Sequence, residues 1–217
     1  MSKHSSGSVR LSDGFFKQNL VLMSGLFACP VIGGATSFEG SLVLCLVFTV
    51  VSFVSVGLCR LLSKKIAFAI RVVIYALIAS LVYIPVMLLA GFLFGESLPE
   101  SMALYLLIVI TNPLILSKTE SRFFLRPVHM MFKDLLGFVL GFDFSCILVG
   151  AIRDILADNI IGNLIIPIPF QIPSMDRVYS GFILVGVLAG LFRFIYNKQR
   201  KRKRPKRSSV QASANRK

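Results

Sequence analysis

The sequence is poor in charge, in cysteine and in histidine, and each shortage narrows what the chain can be. Only 16% of its 217 residues are charged and 55% are hydrophobic, with a mean hydropathy of +0.79. An ordinary soluble domain has about 25% charged and about 45–50% apolar residues, so this composition describes an integral membrane protein of one domain. The four cysteines, Cys29, Cys45, Cys59 and Cys146, include no CxxC pair, and neither a zinc site nor a disulfide framework is indicated. Cys45, Cys59 and Cys146 read as small buried hydrophobes. His4 and His129 stand alone, without a metal partner. No glycine-rich nucleotide motif and no ferredoxin-type cysteine run is present, so nucleotide, flavin and ferredoxin chemistry would belong to other chains. No short hydrophobic segment with a small-residue cleavage site opens the sequence, and no cleavable signal peptide is expected.

What is abundant is apolar runs. A spanning helix needs roughly 20 apolar residues, and six segments are predicted, over 19–37, 41–62, 70–94, 102–116, 129–156 and 178–196. The links alternate in charge. Basic residues mark the N-terminal arm (Lys3, Arg10, Lys17), the second link (Arg60, Lys64, Lys65, Arg71) and the fourth (Lys118, Arg122, Arg126, Lys133). Glu39 lies in the first link, Glu96 and Glu100 in the third, and Asp158 and Asp176 in the fifth. Basic links face the cytoplasm, so a multi-pass protein with both termini cytoplasmic is expected. Residues 1–18 form a polar arm, 19–197 a six-helix membrane domain, and 198–217 a disordered polybasic tail. A basic cluster beside a membrane helix is drawn to anionic lipid by about 1 kcal/mol per charge; nucleic acid is not expected as a partner.

Two of the apolar runs are interrupted. Gly25-Leu-Phe-Ala-Cys29-Pro30 breaks the first, and Thr111-Asn112-Pro113 breaks the fourth. Proline removes a backbone donor and clashes with the preceding turn, so a half-helix ending at Cys29 is expected. Interrupted helices at corresponding places in two halves point to a site at a repeat interface. Gly57-Leu-Cys-Arg60 and Gly150-Ala-Ile-Arg153 echo one another, as do Arg71-Val and Arg177-Val. With three segments on each side of the third link, an inverted 3+3 repeat with broken first and fourth helices is expected.

Several residues carry candidate chemistry. Cys29, at the break, reads as a metal ligand or as a small residue at a helix end. Asn112 reads as a polar cap or a substitute ligand. Asp143 stands in the middle of the fifth apolar run, where a charge costs about 2.5–3.5 kcal/mol or more. It reads as an ion-pathway carboxylate, for cation binding or proton relay, or as an acid hydrogen-bonded to a neighbour such as Ser145. Glu120, Asp134 and Arg153 read as interface anchors and inter-helix partners.

Six short stretches, in order, carry a resemblance to a known family: Gly25-Leu-Phe-Ala-Cys29-Pro30, Ile70-Arg71-Val-Val-Ile-Tyr75, Val109-Ile-Thr-Asn112, Leu116-Ser-Lys-Thr-Glu120, Asp134-Leu-Leu-Gly-Phe-Val-Leu-Gly-Phe142 and Gly150-Ala-Ile-Arg-Asp154. Across about 19–154 the chain resembles the RnfE/NqrD family, the six-helix membrane subunits of the Rnf ferredoxin:NAD oxidoreductase and the sodium-pumping NADH:quinone oxidoreductase. The resemblance implies a translocase subunit of a prokaryotic plasma membrane, not catalytic alone. It implies pairing with a homologous subunit of opposite topology, alongside further Rnf/Nqr-type subunits. It also implies a 2Fe-2S cluster shared by cysteines from the first and fourth helices of both, with electron transfer coupled to Na+ or H+ movement. Cys29 matches the first motif cysteine. The second falls in Thr-Asn-Cys, and here Pro113 replaces it, so the fourth ligand is open. The alternative is a redox-inactive six-helix transporter or scaffold that has lost the cluster, with Asp143 as its working charge.

Overall fold

A computed structural model of the chain describes residues 19–203 apart from 26, 63–65, 122, 124–126, 159, 162–163 and 166–170. The expected arm over 1–18 and the tail beyond 203 lie outside the described residues. The architecture is helical: α1 (Cys29–Gly34), α2 (Phe38–Cys59), α3 (Phe68–Phe94), α4 (Ser97–Ser101), α5 (Ala103–Leu107), α6 (Thr119–Ser121), α7 (Val128–Asp158) and α8 (Val178–Lys203). Between α7 and α8, two-residue strands β1 (Ile160–Ile161) and β2 (Leu164–Ile165) pair antiparallel.

Among the described residues five stretches are long and apolar enough to cross a membrane: α2, α3, Ala103–Ser121, α7 and Val178–Lys198 of α8. The first predicted segment differs. Of its described residues only six are helical, in α1, which at 1.5 Å per residue covers about 9 Å of a hydrocarbon layer about 30 Å thick. The cause is local. The side chain of Asn19 takes the amides of Val21 and Leu22, and Gly25 sits at φ +66°, a conformation that glycine adopts without a Cβ penalty. Pro30 then opens a helix rather than closing one. At the first helical position its missing N–H is one that would have had no partner anyway, and α1 starts at Cys29. The expected half-helix ending at Cys29 is therefore corrected to a short helix beginning there.

The long helices sort by burial. Some 56% of the apolar window of α2 and of α7 is buried, against 17% for α3 and α8. The two central helices pack on each other, and the outer two present Leu81, Leu88, Phe92, Phe182 and Ile183 at the surface. Apolar faces of this extent suit lipid or another membrane helix, not water. The α2–α7 contact is close: a Cβ on Gly150 would lie 1.8 Å from Ser41 Oγ and 2.7 Å from the Ser37 carbonyl. At its centre Phe48 stacks on Phe142 with ring centroids 3.8 Å apart, and Phe27 leans on both at 5.6 Å. α8 continues to Lys203, taking the first residues of the basic tail into the helix.

Candidate functional site

Two buried asparagines organise the breaks. Asn112 is fully buried. Its Oδ1 accepts from the Ile115 amide at 3.0 Å, capping the turn that Pro113 begins, and its Nδ2 donates to Ser52 Oγ on α2 at 2.9 Å. Before it the chain is a 3-10 turn, Ile108–Thr111, and after it a π-type stretch, Leu114–Lys118. Asn19 does the same at the other break. Its Oδ1 accepts from Val21 and Leu22, and its Nδ2 donates to Gly141 O at 2.7 Å and Ser145 Oγ at 2.9 Å, both on α7. One constant spacing relates the parts: Asn19 to Asn112, Ser52 to Ser145 and Arg60 to Arg153 are equally far apart in the sequence. By hydrogen bonding, the counterpart of Asn112 is thus Asn19, upstream of Cys29. The signal that could have found it was an Asn-x-x-x-x-Ser pattern, Asn19 to Ser24 and Asn112 to Ser117.

Arginines close the ends. Arg153, with none of its surface exposed, donates to Ile32 O at 2.7 Å and Ala35 O at 3.2 Å at the end of α1. It also donates to Met175 O at 2.9 Å and Arg177 O at 3.0 Å. Its neighbour Asp154 accepts from the Phe38 amide at the start of α2, so this dipeptide fixes the turn joining α1 to α2. Arg60 plays the matching part, donating to Phe123 O at 2.9 Å. Glu120 accepts from Arg71 and Tyr75, with the Arg71–Glu120 pair at 3.0 Å, tying the start of α3 to the end of the fourth segment.

Cys29 is exposed, whereas Cys45, Cys59 and Cys146 are buried. A cluster of the implied kind is held by thiolates, four ligands in all. Asn112 has both side-chain atoms engaged in the fold, and proline at 113 has no donor atom to give. Among the described residues no group of three or more His, Cys, Asp or Glu side chains could hold a metal ion. The chain's own residues therefore do not fit a pair of cluster ligands; they offer one accessible thiol.

Asp143 stands at the midpoint of α7, opposite the midpoint of α2. Thr49 Oγ1 donates to its Oδ2 at 2.9 Å, and the Cys45 thiol faces its backbone carbonyl at 3.6 Å. Among the described residues its Oδ1 is buried with no hydrogen-bond partner. The expected partner, Ser145, is engaged elsewhere, with Asn19 and Gly141 O.

The family described as "Rnf-Nqr subunit, membrane protein" matches residues 9–196. The chain belongs to this family. It is similar to a subunit of the Na(+)-translocating NADH-quinone reductase of Tolumonas auensis, 27% identical over 160 residues that span 73% of this chain and 74% of that one. It is also similar to a subunit of the ion-translocating oxidoreductase complex of Edwardsiella ictaluri, 26% identical across 91% of this chain and 89% of the relative. The corresponding subunit of Yersinia pestis is 28% identical, covering 92% of each. As an Rnf-Nqr family member with five apolar helices long enough to cross a bilayer, the chain is a multi-pass membrane protein. In this Rnf-Nqr chain, asparagines at the breaks and arginines near helix ends bond across elements, and Asp143 is an acid bonded between two helix interiors.

Proposed function

We propose that this chain is a membrane subunit of an Rnf/Nqr-type ion-translocating oxidoreductase complex, paired in the membrane with a homologous subunit and coupled to movement of Na+ or H+. The observation that carries the reading is the family match across nearly the whole membrane domain, with relatives named as subunits of such complexes. An inverted 3+3 arrangement is supported by reciprocal bonding. Asn19 of the first half holds α7 of the second, and Asn112 of the second half holds α2 of the first; Arg153 and Arg60 exchange helix ends in the same way. Half-helix breaks at a repeat interface are where such folds place their sites. Charge alternation supports cytoplasmic termini, and the basic tail supports contact with anionic lipid.

Cys29 is the thiol available to a 2Fe-2S cluster shared with the partner. With Pro113 at the second motif position, this chain supplies one ligand, and no electron step is assigned to its own residues. That same observation favours a second reading, a redox-inactive transporter or scaffold within the complex. Iron and acid-labile sulfide, measured in the complex purified anaerobically through this chain, separate the two. Iron present in the wild type and lost in Cys29→Ser makes Cys29 a ligand. Iron absent from the wild type while partner subunits are retained refutes the redox role. Purification without any homologous subunit refutes the assembly.

A further inference from the structure

The crossing of α2 and α7 holds a polar node that the family motifs do not account for. Thr49 and Asp143 meet where both helices reach their midpoints, next to the Phe48–Phe142 stack. One carboxyl oxygen has its donor in Thr49; the other, Oδ1, is buried with no hydrogen bond among the described residues, the Cys45 thiol lying nearby. A buried carboxyl oxygen without a partner is costly in a medium of low dielectric constant, and in a membrane helix an acid of this kind marks an ion or proton path by default. What it can bind follows from the donors around it. The titratable groups facing it are Cys45 on α2 and, through Cys45, Cys146 on its own helix. Among the described residues no cation and no second carboxylate acts on it. Hard metal cations take many oxygen ligands; at this node the side-chain oxygens of Thr49 and Asp143 meet, and among the described residues no group of three or more His, Cys, Asp or Glu side chains could hold a metal ion. A proton needs one oxygen and no coordination shell.

We propose that Asp143, held by Thr49 and Cys45, is a proton-loading site at the centre of the membrane. The proton is carried on the carboxyl group and leaves as H+, with no change in oxidation state. The inference rests on the ion-coupled reading for its purpose, but loading is measured on this chain itself.

The test is carbodiimide labelling. Dicyclohexylcarbodiimide attacks carboxyl groups that carry their proton in apolar surroundings, and peptide mass spectrometry locates the adduct. The complex purified through this chain, in lipid nanodiscs, is treated across a pH series with and without sodium ions. Asp143 is expected to be labelled, with the label falling as pH rises and unchanged by sodium. Asp143→Asn, neutral and of the same shape, is expected to lose the adduct entirely. Thr49→Val, which removes the donor to the ionised form, is expected to retain label to higher pH. No adduct on Asp143 at any pH overturns the proposal. Protection by sodium overturns it in favour of a metal-cation site. Turnover-driven ion movement unchanged in Asp143→Asn overturns the loading role even with labelling intact. Loss of partner subunits from the preparation would refute the assembly reading while leaving the labelling result to stand by itself.

Discussion

Replacing Arg153 with methionine removes the guanidinium that joins the end of α1 to the region before α8. Among its acceptors are the backbone carbonyls of Ile32, Ala35, Met175 and Arg177. Hydrogen bonds to a charged group contribute about 1.5–3 kcal/mol each, so the gross loss is about 6–12 kcal/mol. Against this, burying an ion costs several kcal/mol, which the substitution recovers, and methionine refills part of the volume. A net destabilisation of about 2–5 kcal/mol follows. At about 2–4 °C per kcal/mol for a chain of this size, the midpoint should fall by about 4–20 °C. Thermal unfolding in detergent, followed by reaction of the buried cysteines with a thiol-reactive dye, reads this directly. Arg60→Met is the internal control. Arg60 makes one carbonyl bond and a thioether contact at 3.6 Å to Met131, so its loss should cost about 1–2 kcal/mol. Equal shifts for the two variants, or a fall of less than about 2 °C for Arg153→Met, would refute the assignment of Arg153 as the organising contact of that end of the fold.

Other substitutions test other joints. Gly150→Ala places a Cβ 2.7 Å from the Ser37 backbone oxygen, and overpacking there should cost about 1–3 kcal/mol; Ser41→Ala in the same chain should not rescue it, because the backbone oxygen remains. Asn112→Leu removes the donor to Ser52 Oγ and the side-chain acceptor of the Ile115 amide, which keeps its bond to the Asn112 carbonyl, and should destabilise by about 1–3 kcal/mol, seen as a lower unfolding midpoint. Glu120→Ala leaves Arg71, 12% exposed, without its carboxylate, and a loss of about 1–3 kcal/mol is expected in the same melt; Tyr75→Phe should cost less, since it removes one hydrogen bond.

The apolar runs by themselves determined the membrane class and the order of the segments. The predictions over 41–62, 70–94 and 129–156 fall within a few residues of α2, α3 and α7, because length and hydropathy suffice to define a helix in lipid. The break at Asn112 was legible for the same reason, since proline after asparagine interrupts a run whatever surrounds it. At Pro30 the same rule pointed the wrong way. Proline forbids the interior of a helix but favours its first turn, and only the packed structure, with Asn19 already bound to its own downstream amides, shows which applies. The cysteine count and Pro113 were read from the sequence; that Asn112 is bonded to Ser52 only the tertiary structure shows. The pairing of Thr49 with Asp143, of Asn19 with Ser145 and of Arg153 with four carbonyls was decided by tertiary structure alone. Local composition states how apolar a segment is, whereas the partner of a buried polar atom is set by which helices cross, and at what depth.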